Sequence, residues 1–335
     1  MIAERATVVG AGSWGTAFSL VLADAGLDVR LWARRPELAT RITETRRNGD
    51  YLPEIDLPDE VHATADVDEA LEEADLVVLA IPAQKLRAGL AEWAPRLPER
   101  ATLVSLAKGI ELGTGCRMSE VILQATGVAP ERLAVVSGPN LAREIAERQP
   151  AAGVVAAFDP DTADLVAAAC ASPWFRPYTS TDVTGCEIAG ATKNVIALAV
   201  GAAEGLGLGD NSKASVITRG LAETVRLGVA LGADPATFSG LAGVGDLIAT
   251  CMSPLSRNHR VGVGLGRGGT VESVVASIGQ TAEGVTSCES ILALAREAGV
   301  EVPIVESVVA MVADGQRPEL IVDALMRRQR KPEKA

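Results

Sequence analysis

Thr7-Val8-Val9-Gly10-Ala11-Gly12-Ser13-Trp14-Gly15-Thr16-Ala17 is the stretch on which the reading of this chain turns. A β-branched apolar run meets three glycines at G-x-G-x-x-G spacing, and Phe18-Ser19-Leu20-Val21-Leu22 continues at helical length. That order predicts strand, tight turn, helix. Gly10 permits the turn, Gly12 leaves room for a pyrophosphate, and Gly15 lets the helix approach the strand. The phosphates then sit at the positive N-terminal end of the helix. The same spacing recurs at Gly264, Gly266 and Gly269, but it follows Ser256-Arg257-Asn258-His259-Arg260 and not a strand. The second copy therefore reads as a glycine-rich loop.

At 335 residues the chain exceeds one comfortable core, and its 48% apolar content supplies two. A net charge of −12, with one short basic tail at Arg327-Arg328-Gln329-Arg330-Lys331, argues against nucleic acid as a partner and leaves the tail as solvated charge. Met1-Ile2-Ala3-Glu4-Arg5 enters the first strand directly, with no room for a leader. The most apolar long stretch, Ile188 to Leu208, is interrupted by Lys193 and Glu204, so it reads as a buried helix and not a membrane span. Five cysteines (Cys116, Cys170, Cys186, Cys251, Cys288) without C-x-x-C pairing, and only His62 and His259, give neither a zinc pattern nor a disulfide framework. The expectation is a cytoplasmic protein that is not embedded in a membrane and holds no metal.

Leu27 to Trp32 reads as a second strand, ending about 20 residues past the glycines, where an NAD site usually places an acid for the ribose hydroxyls. Ala33-Arg34-Arg35 stands there instead. Two arginines suit a 2′-phosphate, so the reading leans to NADP(H) with NAD(H) kept open; a pair of solvated charges is the alternative. Further strands follow at Val61 to Thr64, Asp75 to Ala80, Ala101 to Ser105, Leu133 to Ser137, Ala151 to Phe158 and Phe175 to Thr179, with helical patterns such as Ala83 to Trp93 and Met118 to Ala125 between most of them. Continuous apolar strands with helical crossovers predict a doubly wound parallel sheet of Rossmann type. Its ligands lie past the carboxyl ends of the strands, which directs attention to Lys108 in Ala107-Lys108-Gly109 and to Gly138-Pro139-Asn140, a turn that opens a helix at Leu141.

After Thr181 the alternation stops and the chain reads as helices, giving an α/β domain over residues 1–181 and an all-α domain over 182–335. Glu187 to Val200 is apolar on nearly every face, the mark of a helix buried among others. Lys193 in it is either an ammonium with a partner and a task or one that snorkels to the surface. Burial would lower its pKa toward the ~7–8 useful for proton transfer. Asn194 beside it would orient a substrate or cap a neighbouring element. Asp246, between Gly240-Leu241-Ala242-Gly243-Val244-Gly245 and an apolar run, is either a helix N-cap or the carboxylate that Lys193 needs. Ser256-Arg257-Asn258 would grip a phosphate or serve as ordinary surface loop.

Together these blocks resemble the bacterial NAD(P)-dependent glycerol-3-phosphate dehydrogenases, over about Ala6 to Met326. The blocks are GAGSWGTA with WARRPE, AKGIE, GPNLARE, EIAGATKNVIALAVG, NSKASVITRG, GLAGVGDLIATC, SRNHRVG and AEGV. The resemblance implies reduction of dihydroxyacetone phosphate to sn-glycerol 3-phosphate for glycerophospholipid synthesis. It also implies a Rossmann domain followed by a helical domain like the C-terminal one of 6-phosphogluconate dehydrogenase. Carried over residue by residue, Lys193 would be the general acid–base at the C2 oxygen, held by Asp246 and Asn194. Lys108, Gly138, Asn140, Ser256, Arg257 and Asn258 would contact the substrate. Gly10, Gly12, Ser13, Trp14, Gly15, Arg34, Arg35, Lys108, Ala142, Arg257, Thr281 and Glu283 would line the cofactor. Asn140-Leu141, Ser212 and Thr281-Ala282 depart mildly from the family pattern. A hydroxyacid or 6-phosphogluconate dehydrogenase fits less well, because the lysine and asparagine of those families are separated by two residues, whereas Lys193 and Asn194 are adjacent. A nucleotide sensor without turnover would not need Lys193, Asp246 and Arg257 together. The oligomeric state stays open, a homodimer being one arrangement.

Overall fold

Short apolar strands alternating with helices build the first 180 residues of the computed structural model, which describes residues 3–327. The opening half of the sheet domain runs β1 (Arg5–Val9), α1 (Ser13–Asp24), β2 (Asp28–Trp32), α2 (Pro36–Thr45), β3 (Arg47–Asn48), β4 (Leu52–Asp56), β5 (Val61–Thr64) and α3 (Val67–Leu71). There follow β6 (Leu76–Leu79), α4 (Leu86–Trp93), β7 (Thr102–Ser105), α5 (Met118–Thr126), β8 (Leu133–Ser137), α6 (Ala142–Ala146), β9 (Ala151–Ala157), α7 (Pro160–Cys170) and β10 (Phe175–Ser180). The expectations for Met1-Ile2 and for the tail from Arg328 to Lys331 lie outside the described residues.

Eight strands form one sheet in the order β10-β9-β8-β7-β6-β1-β2-β5. β6, β7 and β8 are buried at every residue, as strands covered on both faces must be. β1 pairs in parallel with both β2 and β6, so the chain leaves β1 where the strand order reverses, the crevice in which such sheets hold ligands. The glycines make that exit possible. Gly10 has φ +120°, and a Cβ on it would stand 2.6 Å from the Ala80 carbonyl oxygen just past β6. A Cβ on Gly15 would meet the Gly10 oxygen at 1.9 Å, which is why α1 can sit so close to the turn.

Two features of this half differ from the sequence reading. β9 pairs with β8 antiparallel, and β10 runs parallel to β9, so these two strands oppose the other six. The link from β8 to β9 carries just the one-turn helix α6 and not the longer helix that usually makes the crossover to a parallel neighbour. The second feature is the small antiparallel hairpin β3–β4, unanticipated from the sequence, which packs over the glycine turn. Asn48, wholly buried, donates from Nδ2 to the Ala11 carbonyl at 3.0 Å and to Thr16 Oγ1 at 2.8 Å, pinning the hairpin there.

The second half is helical: α8 (Val183–Gly205), α9 (Asp210–Ala230), α10 (Asp246–Met252), α11 (Arg257–Gly266), α12 (Val271–Ile278), α13 (Glu283–Glu297), α14 (Pro303–Val312) and α15 (Pro318–Met326). The molecule thus consists of a Rossmann-type sheet domain followed by an all-α bundle. α8 is long and apolar enough to cross a membrane by length and composition, yet 94% of its most apolar window is buried inside the protein. It is the axis of the bundle. Its Glu187, held between the halves, accepts from the Ser119 amide at 2.7 Å and from Ser119 Oγ at 2.5 Å.

Gly264 and Gly266 lie within helix α11, and only Gly269 lies beyond it, so the expected glycine-rich loop is largely a helix. The reason is tertiary. A Cβ on Gly262 would stand 2.2 Å from the Leu198 oxygen, one on Gly266 2.3 Å from the Ala202 oxygen, and one on Gly201 2.1 Å from the His259 oxygen. α8 and α11 therefore pack backbone against backbone, and glycine's poor helix propensity yields to that close approach.

Candidate active site

Between the two halves runs a cleft of about 1330 Å³, larger than the pocket a single small ligand needs. Of the residues singled out from the sequence, Gly10, Gly12, Ser13, Trp14, Arg34, Arg35, Lys108, Asn140, Ala142, Lys193, Asn194, Ser256, Arg257, Asn258, Thr281 and Glu283 line it. Three do not. Gly15 is packed behind the turn, Gly138 contributes its carbonyl to Lys108, and Asp246 lies beneath Lys193 at 1% exposure.

The glycine end suits a dinucleotide. Among the described residues nothing approaches within 4 Å of the place a Gly12 Cβ would occupy, and no side chain caps the N-terminus of α1. That leaves backbone donors and a positive helix end facing an open cradle. Trp14 Nε1, Glu283 Oε2 and both amide atoms of Asn140 are buried without a partner among the described residues, although their residues border the cleft. Buried polar atoms of that kind normally have a partner, and here a bound molecule would supply one. Ser13 Oγ donates to Gln280 Oε1 at 3.4 Å, joining the glycine turn to the helical half.

At the other end, Lys193 projects from α8 and donates to Asp246 Oδ1 at 2.5 Å and to Thr250 Oγ1 at 2.8 Å. Burial pulls its ammonium down from the ordinary lysine range to about 8; Asp246 opposes that fall and Lys108 adds to it. Lys108 donates to the second oxygen, Asp246 Oδ2, at 2.7 Å and to the Gly138 carbonyl at 3.1 Å. Asp246 is thus a shared counter-ion and not a cap, delivered by a π-helical turn, Leu241–Gly245, that runs straight into α10. The tight packing of α8 on α11 brings Asn258 to Asn194: Nδ2 of Asn258 donates to Oδ1 of Asn194 at 2.9 Å, while Oδ1 of Asn258 accepts from the Gly284 amide at 2.9 Å. Ser256 Oγ accepts from the His259 amide as the N-cap of α11, so Arg257 and Asn258 form the first turn of that helix. Burial lowers the Arg257 pKa and raises that of Glu283, and each charge offsets the effect on the other.

Sequence reasoning passed over Thr250 and Tyr51. Thr250 follows Asp246 by one helical turn, a spacing that places both on one face; Tyr51 comes from the hairpin and also borders the cleft.

The models for the N-terminus and the C-terminus of NAD-dependent glycerol-3-phosphate dehydrogenase match residues 5–163 and 182–323. The chain is 62% identical over 330 residues to glycerol-3-phosphate dehydrogenase (NAD(P)+) of Streptomyces coelicolor, covering 98% of each. It is 57% identical over 332 residues to a Mycobacterium bovis enzyme of the same name, covering 99% of each. The crystal structure of glycerol-3-phosphate dehydrogenase from Coxiella burnetii superposes with a TM-score of 0.93 at 33% identity, covering 97% of this chain and 99% of that one. With both halves matched in order around one cleft, the chain belongs to the NAD-dependent glycerol-3-phosphate dehydrogenase family.

Proposed function

We infer that Lys193 delivers the proton when this chain reduces dihydroxyacetone phosphate to sn-glycerol 3-phosphate, and recovers it in the reverse direction. The interconversion itself, with an NAD(P) cofactor, follows from family membership. The observation that carries the residue assignment is a buried lysine amine on the wall of the cleft, clamped between Asp246 and Thr250. With burial holding its pKa at about 8, the amine is mostly protonated at neutral pH and still able to release its proton. Asp246 keeps it charged and aimed, and Lys108 adds a second cation beside it.

Arg257 and Asn258, at the N-terminus of α11, would take the substrate phosphate, with Ser256 fixing the turn they stand on. Gly138, Asn140 and Asn194 would contact the three-carbon body. Gly10, Gly12, Gly15, Ser13 and Trp14 would hold the pyrophosphate side of the cofactor, and Ala142, Thr281 and Glu283 would line the remainder. Arg34 and Arg35 would accept a 2′-phosphate, so that NADP(H) is used as well as NAD(H). When bound, the reduced nicotinamide supplies the hydride. We assign residues 1–181 to dinucleotide binding and 182–335 to substrate and catalysis, a division supported by the end of β10 at Ser180 and the start of α8 at Val183. Five unpaired cysteines support a reducing, cytoplasmic setting.

The test is an assay of the purified protein with NADPH and NADH against dihydroxyacetone phosphate, other phosphorylated ketones and unphosphorylated dihydroxyacetone. Oxidation of the cofactor should depend on the phosphate. No oxidation with dihydroxyacetone phosphate, or equal rates with the unphosphorylated ketone, would overturn the reading.

A further inference from the structure

The end of β2 carries arginines where an acid would favour NADH, yet the fold brings an acid there from elsewhere. Asn48 fixes the β3–β4 hairpin to the glycine turn, and Asp50, two residues on, lies between the two strands. Arg35 Nη2 donates to Asp50 Oδ2 at 2.5 Å, and Arg41 Nη2 donates to Asp50 Oδ1 at 2.8 Å. Arg35 lines the cleft beside Arg34 and Tyr51, so this ion pair sits at its border.

We propose that Asp50 sets the balance between NADH and NADPH by engaging Arg35 in an ion pair that a 2′-phosphate must break or share. The proposal rests on the reading of Arg34 and Arg35 as the 2′-phosphate contacts. A guanidinium that already spends an N–H on a carboxylate has fewer donors left for phosphate oxygens. The carboxylate also repels a group carrying nearly two negative charges, while the uncharged 2′-hydroxyl of NADH meets no such repulsion. The Arg35 guanidinium holds the Asp50 carboxyl below its usual range, so the repelling charge is present throughout the working pH range. Asp50 thereby lets two arginines coexist with use of NADH.

The experiment is direct binding of NADPH and NADH, followed by calorimetry and by tryptophan fluorescence, to the intact protein and to Asp50→Asn. Asp50 is exposed enough for the isosteric amide to leave the fold unchanged. Asp50→Asn should tighten NADPH about threefold, the scale of an exposed ion pair, and move NADH by less than about twofold. The gain should shrink as salt is added. Asp56→Asn, which frees Arg47 on the same hairpin, should change neither affinity. Weaker NADPH binding, an equal shift for both cofactors, or the same gain in Asp56→Asn overturns the proposal. The double variant Arg34→Ala/Arg35→Ala separates the two readings. If it weakens NADPH selectively while Asp50→Asn does nothing, the arginine contacts stand and Asp50 is wrong; if it weakens both cofactors alike, both readings fall.

Discussion

Lys193 Nζ, at the wall of the cleft, stands 2.5 Å from Asp246 Oδ1 beneath it, and the other oxygen of the same carboxylate is taken by Lys108. One buried negative charge therefore serves two ammonium groups. The pair is valuable for control of a proton more than for stability, because removing two charges from water costs about as much as their attraction returns.

If Lys193 is the proton donor, Lys193→Ala should lower kcat for dihydroxyacetone phosphate reduction by about 10²–10⁴-fold. Affinity for NADPH, measured by fluorescence titration, should change little, since the glycine turn is untouched. Near-normal turnover would remove Lys193 from the proposed role.

The direction of the pH dependence follows from the amine's position near 8. Reduction needs the ammonium, so its rate should hold on the acid side and fall as pH rises through about 8; oxidation of glycerol 3-phosphate needs the free amine and should rise over the same interval. Asp246 raises the Lys193 pKa, so Asp246→Asn should move both breaks to lower pH in addition to lowering kcat. Profiles of kcat/KM in both directions check this, and breaks that stay in place in Asp246→Asn would exclude the coupling.

Much of this arrangement was readable beforehand because strands such as Leu133–Ser137 are continuous apolar runs bounded by turn residues, and α8 is apolar on every face. The antiparallel course of β9 was not readable, since an apolar run carries no sign of direction. The hairpin at Arg47–Asp56 was missed because its strands are short and mostly polar, and what holds it in place is Asn48 reaching back to Ala11 and Thr16. Gly266 misled for a related reason: a local signal for loop was overridden by contact with a helix some 60 residues earlier in the chain. Lys193 and Asp246 were legible as anomalies, a cation and an acid in apolar surroundings. That Lys108 shares the same acid required coordinates.

A second buried acid gives a separate test of stability. Glu223 on α9 accepts hydrogen bonds from the Ile304 and Val305 amides at the start of α14, and burial still pushes its pKa from 4.5 up to about 7. A carboxyl raised on folding contributes stability that is complete below about pH 4.5 and is lost as pH rises through 7. The advantage of the wild type over Glu223→Gln should therefore shrink between pH 5 and pH 8, by at most on the order of 3 kcal/mol. Urea midpoints of both proteins across that range measure it, and a pH-independent difference would show that Glu223 is not the titrating group.

The contact between α8 and α11 links stability to substrate recognition. Gly262→Ala would place a methyl 2.2 Å from the Leu198 carbonyl oxygen, and backbone cannot step aside as a side chain can. Overpacking of this kind costs about 1–3 kcal/mol, or more when the helices must separate. Separation would also pull Asn258 from Asn194 and shift Arg257 on the same first turn, so KM for dihydroxyacetone phosphate should rise more than KM for NADPH. Gly264→Ala on the same helix is the informative comparison, because its new methyl meets a side chain, Val274 on α12, at 2.6 Å and not the backbone of α8. Thermal unfolding and steady-state kinetics of the two variants should rank Gly262→Ala as the more damaging in both; equal damage would show that α11 is merely intolerant of alanine and that its approach to α8 does not set the substrate end of the cleft.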